Sequence, residues 1–72
     1  MITLQEIKKI SVRETEVLHL IASEFTIKEI AAHLFISPHT AISHRKNLMD
    51  KWAVKNTAGL VRRGFELGVL KV

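Results

Sequence analysis

Residues Ser37 to Trp52, SPHTAISHRKNLMDKW, read as one long helix with two unlike sides. Ser37 is a good N-cap, because its hydroxyl can accept a bond from an orphan N–H of the first turn. Pro38 follows at the first helical position, where its missing N–H costs nothing and its fixed φ suits the helix. No Pro or Gly interrupts the residues after it. At helical spacing Ala41, Leu48 and Trp52 fall on one side, with Met49 and the stem of Arg45 at its edge. His39, Ser43, Lys46 and Asp50 fall opposite, flanked by Ile42 and Asn47. Short polar groups and cations on the outer side of a helix suit the major groove of duplex DNA, which admits one α-helix and displays donors, acceptors and methyl groups to it. A solvated surface helix carries a similar face, so periodicity fixes the helix and leaves its partner open.

The segments before this helix decide its setting. Ser11–Val12–Arg13–Glu14 is a capping box that opens a helix with a wide apolar arc, Val17, Leu18, Leu20, Ile21 and Ala22. An arc of that width predicts a helix in the middle of the domain. Glu24 and Phe25 connect it to a second capping box, Thr26–Ile27–Lys28–Glu29. There Ile27, Ile30, Ala31 and Leu34 stand at i, i+3, i+4 and i+7, a narrow apolar stripe. Lys28 adds a cation near a helix N-terminus, where unpaired N–H groups already attract phosphate. Only Phe35, Ile36 and Ser37 separate Leu34 from Pro38. A short helix, a tight turn and a longer capped helix make a helix-turn-helix. The usual turn glycine is absent, so Phe35–Ile36 must form the turn, and this apolar pair is expected to anchor it to the core.

Beyond Trp52, Asn56 is an N-cap for a fourth helix that ends near Gly68, a good residue just past a helix end. Its apolar arc holds Leu60, Val61, Gly64, Phe65 and Leu67, with Ala58 at the edge. Gly59 and Gly64 each cost an isolated helix roughly 1 kcal/mol relative to Ala, which close helix approach would explain. Part of this arc, Leu60, Val61 and Gly64, is expected to meet a second copy of the chain; the alternative is that all of it packs into the core.

The expected fold class is therefore all-α: a compact four-helix domain containing a helix-turn-helix over residues 11–72. Residues 1–10 are expected to be an arm or linker remnant, with Leu4, Ile7 and Ile10 as a short stripe. Seventy-two residues hold one small domain, and the hydrophobic share of 47% is that of a folded chain. Cysteine is absent, which excludes disulfides and thiolate chemistry. No apolar run approaches membrane-spanning length and no signal-peptide pattern opens the chain, so the default expectation is cytoplasmic. The net charge of +4 is unevenly spread. From His39 to Arg63, six cations (Arg45, Lys46, Lys51, Lys55, Arg62, Arg63) stand against the single Asp50, whereas Met1 to Pro38 is slightly acidic. Such asymmetry points to a side that faces a polyanion. His19, His33, His39 and His44 share no metal-ligand spacing, and His39 and His44, five apart, do not meet on one helix face. His44 reads as a structural hydrogen-bond donor beside the turn. No arrangement meets the geometric requirements of catalysis, so no enzymatic activity, metal or cofactor is expected.

Taken together, these residues resemble the LuxR/GerE-type helix-turn-helix domain of bacterial transcription regulators. The resemblance runs from Ser11 to about Leu70. It is carried by Arg13–Glu14–Thr15–Glu16–Val17–Leu18, by Thr26 through Pro38, and by Thr40, His44, Asn47, Lys51 and Val54 at the family's spacing. It implies double-stranded DNA binding, usually as a homodimer on two half-sites, with the last helix at the dimer contact. Position by position it implies base contacts from Ile42, Ser43 and Lys46. His39, Thr40 and Arg45 look like backbone or flanking contacts. With Lys28, Ser37, Lys51 and Lys55 they make the expected DNA-backbone set, whose cations would neutralise phosphates and release counterions. The chain departs from the family in places. Ile42 stands where many relatives have a cation; it could touch a thymine methyl but cannot donate to guanine. Glu24 and Ala53 replace frequent glycines, so those turns are built without the residue that takes φ > 0 most easily. Val12 stands where Pro is common.

Two other readings remain open at this level. A helical interaction module could bind protein instead of DNA, and its affinity would then lack the steep salt dependence of a DNA binder. The promoter-reading domain of sigma factors opens similarly but fits less well after Ser37. Relatives often sit behind a receiver or ligand-sensing domain, which would place phosphorylation or a ligand in control if this chain is a fragment.

Overall fold

The computed structural model describes residues 9–71. Four helices follow in order: α1 (Val12–Ala22), α2 (Ile27–Leu34), α3 (Pro38–Lys51) and α4 (Thr57–Glu66), with no strand among the described residues. The all-α, four-helix expectation holds. Leu4 and Ile7 lie outside the described residues; Ile10 is half-buried against the core.

Each helix starts where a short polar side chain can replace a missing backbone partner. Ser11, Thr26, Ser37 and Asn56 all sit in extended backbone and accept from the N–H three residues on, at Glu14, Glu29, Thr40 and Gly59. Both expected capping boxes close, with Glu14 accepting from Ser11 N–H at 2.9 Å and Glu29 from Thr26 N–H at 2.8 Å.

All four helices also end alike. A residue in the left-handed region turns the chain outward, and the next, apolar residue folds back and donates to the carbonyl five before it. The turning residues are Glu24 (φ 66°), Phe35 (φ 57°), Ala53 (φ 54°) and Gly68 (φ 78°). The returning donors are Phe25 to Leu20 at 3.0 Å, Ile36 to Ala31 at 3.0 Å, Val54 to Met49 at 3.1 Å and Val69 to Gly64 at 2.9 Å. Phe25, Ile36, Val54 and Val69 all pack against the core. This geometry corrects the expectation for the helix-turn-helix turn. Ile36 anchors it, but Phe35 is 95% exposed, because the left-handed residue of this motif points away from the protein. Glu24 and Ala53 do build their turns at positive φ without glycine.

The core has two parts. Val17, Ile30, Ala31, Leu34 and Ala41 join α1, α2 and the first half of α3. Leu18, Leu48, Trp52, Leu60, Leu67 and Leu70 join α1, the far end of α3, α4 and the chain after it. Ile21 packs against both. Helix α1 touches all three others, as its wide arc predicts, and α3 does the same. Helix α3 is therefore gripped at both ends, by Ala41 in one cluster and by Leu48 and Trp52 in the other.

Two expectations for α4 are corrected. Leu60 is completely buried and Gly64 is buried too, so neither has surface to offer a second copy. Only Val61 of the expected trio is half-exposed. Gly64 does serve close approach, to Leu70 and Leu18, whereas a Cβ at Gly59 would meet nothing nearer than Val54 at 3.4 Å. Gly59 is not a close-packing site.

Candidate nucleic-acid interface

The outward face of α3 is built by subtraction. Ala41, Leu48 and Trp52 are buried, and Arg45 and Met49 are half-buried at the edge. What remains in water is His39, Ile42, Ser43, Lys46, Asn47 and Asp50. The projection from sequence placed each of these correctly. Ile42 keeps 42% of its surface exposed, a large apolar side chain among polar neighbours. Among the described residues no hydrogen bond or ion pair engages Ser43 or Lys46. Their donors are available to an outside partner.

At the start of α3 the polar groups are partly committed. Ser37 Oγ accepts from Thr40 N–H at 3.1 Å and donates to Thr40 Oγ1 at 3.0 Å. Thr40 is half-buried and His39 exposed. Lys28 is exposed in the first turn of α2, and Lys55 is exposed in the connection from α3 to α4. Arg45 borders an open groove of about 660 Å³ whose apolar wall includes Ile21, Phe25, Ile27 and Val61. His44 is half-buried, and among the described residues no hydrogen bond or ion pair engages its side chain, so the expectation of a structural donor beside the turn is not met.

Lys51 differs from the other expected phosphate contacts. Its Nζ donates to Glu14 Oε1 at 2.7 Å and to the Lys9 carbonyl at 2.9 Å. The Glu14 side chain is 5% exposed and the Lys51 side chain 36%. Burial works to raise the Glu14 carboxyl above the usual glutamate value. The hydrogen bond from Lys51, that from Ser11 N–H and the Lys51 charge together outweigh it, so the group titrates below that value. Locally, Glu14 is marked only as the last residue of the capping box. Its partner lies 37 residues away, and nothing local in the sequence marks the pair.

A short capped helix, a three-residue connection and a longer helix held from behind, with its polar face outward, define a helix-turn-helix domain. The chain belongs to the LuxR family of bacterial regulatory proteins. The GerE pattern, described as "Bacterial regulatory proteins, luxR family", matches residues 8–63. The spore germination protein GerE of Bacillus subtilis is 40% identical over 60 residues, covering 83% of this chain and 81% of that protein. The transcriptional regulatory protein UhpA of Escherichia coli is 46% identical over 54 residues, covering 75% of this chain and 28% of UhpA. The oxygen regulatory protein NreC of Staphylococcus aureus is 36% identical over 69 residues, or 96% of this chain and 32% of NreC. The chain thus spans about the length of GerE and under a third of UhpA. The chain carries a LuxR-family DNA-binding domain, and the family is one of transcription regulators rather than enzymes. Among the described residues no helix is long and apolar enough to cross a membrane.

Proposed function

We propose that this domain reads a short duplex sequence by laying the outward face of α3 in the major groove, and that it acts as a homodimer on two half-sites. The observation that carries the reading is the uncommitted face of α3, with Ile42, Ser43 and Lys46 exposed while the opposite side is locked into both core clusters. Lys46 would donate to guanine acceptors, Ser43 to either kind of base edge, and Ile42 would cover a thymine methyl. Lys28, Arg45 and Lys55 would neutralise phosphates, with Ser37, His39 and Thr40 fixing the register of the helix start. One such domain touches few base pairs. Two-fold pairing lengthens the site and makes it near-palindromic. On α4 the surface suited to a second copy is the stripe Ala58, Val61 and Phe65, at i, i+3 and i+7, with Phe65 44% exposed. The much greater length of UhpA and NreC supports a further reading, in which the domain is the effector end of a longer regulator governed by a receiver or ligand-sensing domain.

Selection of bound sequences from random duplexes, repeated over a range of protein concentrations, tests this. Enrichment of a two-fold symmetric site, with two chains per duplex, is the expected result. Absence of enrichment, together with affinity that does not fall steeply with salt, would favour a helical protein-interaction module instead.

A further inference from the structure

Lys51 is the last residue of α3 and reaches back across the domain to the segment just ahead of α1. Its ammonium holds two acceptors at once. It donates to the Lys9 carbonyl at 2.9 Å and to Glu14 Oε1 at 2.7 Å, and the same oxygen accepts from Ser11 N–H at 2.9 Å. Between Lys9 and Ser11, Ile10 packs against the core cluster that also holds Leu48 and Trp52. The segment that enters the domain is therefore fastened to the C-terminal turn of α3, both by charge and by apolar contact. An ammonium has three N–H donors, and two of them are used inside the protein.

We propose that Lys51 is a positioning residue that ties the incoming segment, residues 9–11, to the end of α3 and so sets the pose of the DNA-reading face, rather than a phosphate contact. This rests on the proposed DNA-binding reading. Whatever pulls on the chain ahead of Ser11 then acts on α3 through one ammonium and one buried carboxylate. Arg13, next to Glu14 in the chain, pairs with Glu16 instead, so Lys51 is the cation paired with Glu14 among the described residues. The Lys9 backbone rather than its side chain takes part.

The two roles for Lys51 make opposite forecasts for Glu14. If Lys51 binds phosphate, Glu14 merely competes for it, and Glu14→Gln should leave DNA binding equal or tighter. If the pair positions α3, Glu14→Gln should weaken DNA binding although it removes a negative charge. The experiment measures duplex affinity against salt for the wild-type chain, Glu14→Gln, Lys51→Met and the double variant, with amide hydrogen exchange of each free protein. The double variant removes both charges, so it stays informative if a lone buried charge unfolds a single variant. The expected result is a loss of about two- to thirtyfold in affinity for both single variants, the range by which coupling residues act. The slope of log affinity against log salt should stay unchanged, and exchange should rise together at residues 9–11 and 48–52. A slope reduced by about 0.9 in Lys51→Met, the signature of one lost phosphate contact, would overturn the proposal. So would undiminished binding by Glu14→Gln. If the wild-type chain bound no duplex, the DNA reading would fall. The clamp would still be judged by exchange: a joint rise in both segments upholds it, and independent changes reject it.

Discussion

Leu70 occupies the space that a side chain on Gly64 would need. Its amide donates to the Gly64 carbonyl at 3.0 Å, and a Cβ on Gly64 would lie 2.7 Å from Leu70 Cδ1, 2.9 Å from Leu70 Cγ and 3.2 Å from Leu18 Cδ2. Leu70 is 4% exposed, so it cannot swing aside. Ala in place of Gly would gain about 1 kcal/mol of helix propensity. Overpacking against two buried leucines costs about 1–3 kcal/mol and wins. Gly64→Ala is expected to lower the urea midpoint. Gly59→Ala, with only ordinary contacts around it, should keep most of the propensity gain and raise the midpoint. Opposite shifts from two chemically identical changes on one helix are the check.

The same reasoning applies to the turns that lack glycine. Glu24 and Ala53 hold φ of 66° and 54°, a conformation that costs an L-residue roughly 1–2 kcal/mol. Both are exposed, so no packing is lost when the side chain is removed. Glycine relieves the strain but adds freedom to the unfolded chain, at about 0.4–1 kcal/mol. Ala53→Gly and Glu24→Gly are each expected to stabilise by up to about 1 kcal/mol. Denaturant unfolding with unchanged m-values would show it, and a fall in stability at both sites would mean the turns are not strained.

The sequence exposed some of this architecture and hid the rest for physical reasons. Ser11, Thr26, Ser37 and Asn56 were legible as caps because capping involves residues three apart, and periodicity sorted the two faces of α3. Glu14 and Lys51 were not, because their meeting depends on how α1 and α3 pack, which no short window reports. Phe35 misled for a related reason. An apolar residue in a turn reads as an anchor, yet backbone geometry alone turns it outward. Leu60 and Gly64 share an arc with Val61, and a helix wheel cannot say which part of a wide arc the core consumes.

Acid should weaken the fold through Glu14. Its carboxyl titrates below 4.5 in the folded chain: burial raises it, but the bonds from Lys51 and Ser11 prevail. A group whose folded value is depressed contributes stability that is complete above its unfolded value and is lost as pH falls through the folded value. Stability is therefore expected to be flat from neutrality to about pH 5 and to decline below it. Glu14→Gln should cost about 1.5–3 kcal/mol at neutral pH, as for a hydrogen bond to a charged group, and flatten the decline. A smaller slope of the same sign should persist from Glu29, which the Thr26 N–H and hydroxyl hold below 4.5 at an exposed site. Unfolding curves recorded from pH 3 to 7 distinguish the two. An unchanged pH profile in Glu14→Gln would remove Glu14 from the account.

Ile42 gives the sharpest test of base reading, because a methyl group can be removed from DNA without touching a hydrogen bond. Once a site has been selected, replacing each thymine in turn by uracil deletes only the 5-methyl group. Ile42 is 42% exposed in the free chain and has apolar surface left to bury. Covering one methyl is worth about 0.8 kcal/mol, so one uracil position in each half-site should weaken wild-type binding about fourfold. In a homodimer Ile42→Ala removes the contact from both half-sites, so it should weaken binding to the thymine site by about the square of that factor and be indifferent to uracil at that position, since the two changes remove the same contact. Additive losses would place the methyl against another residue. No loss at any thymine would mean that Ile42 faces the groove without reading it.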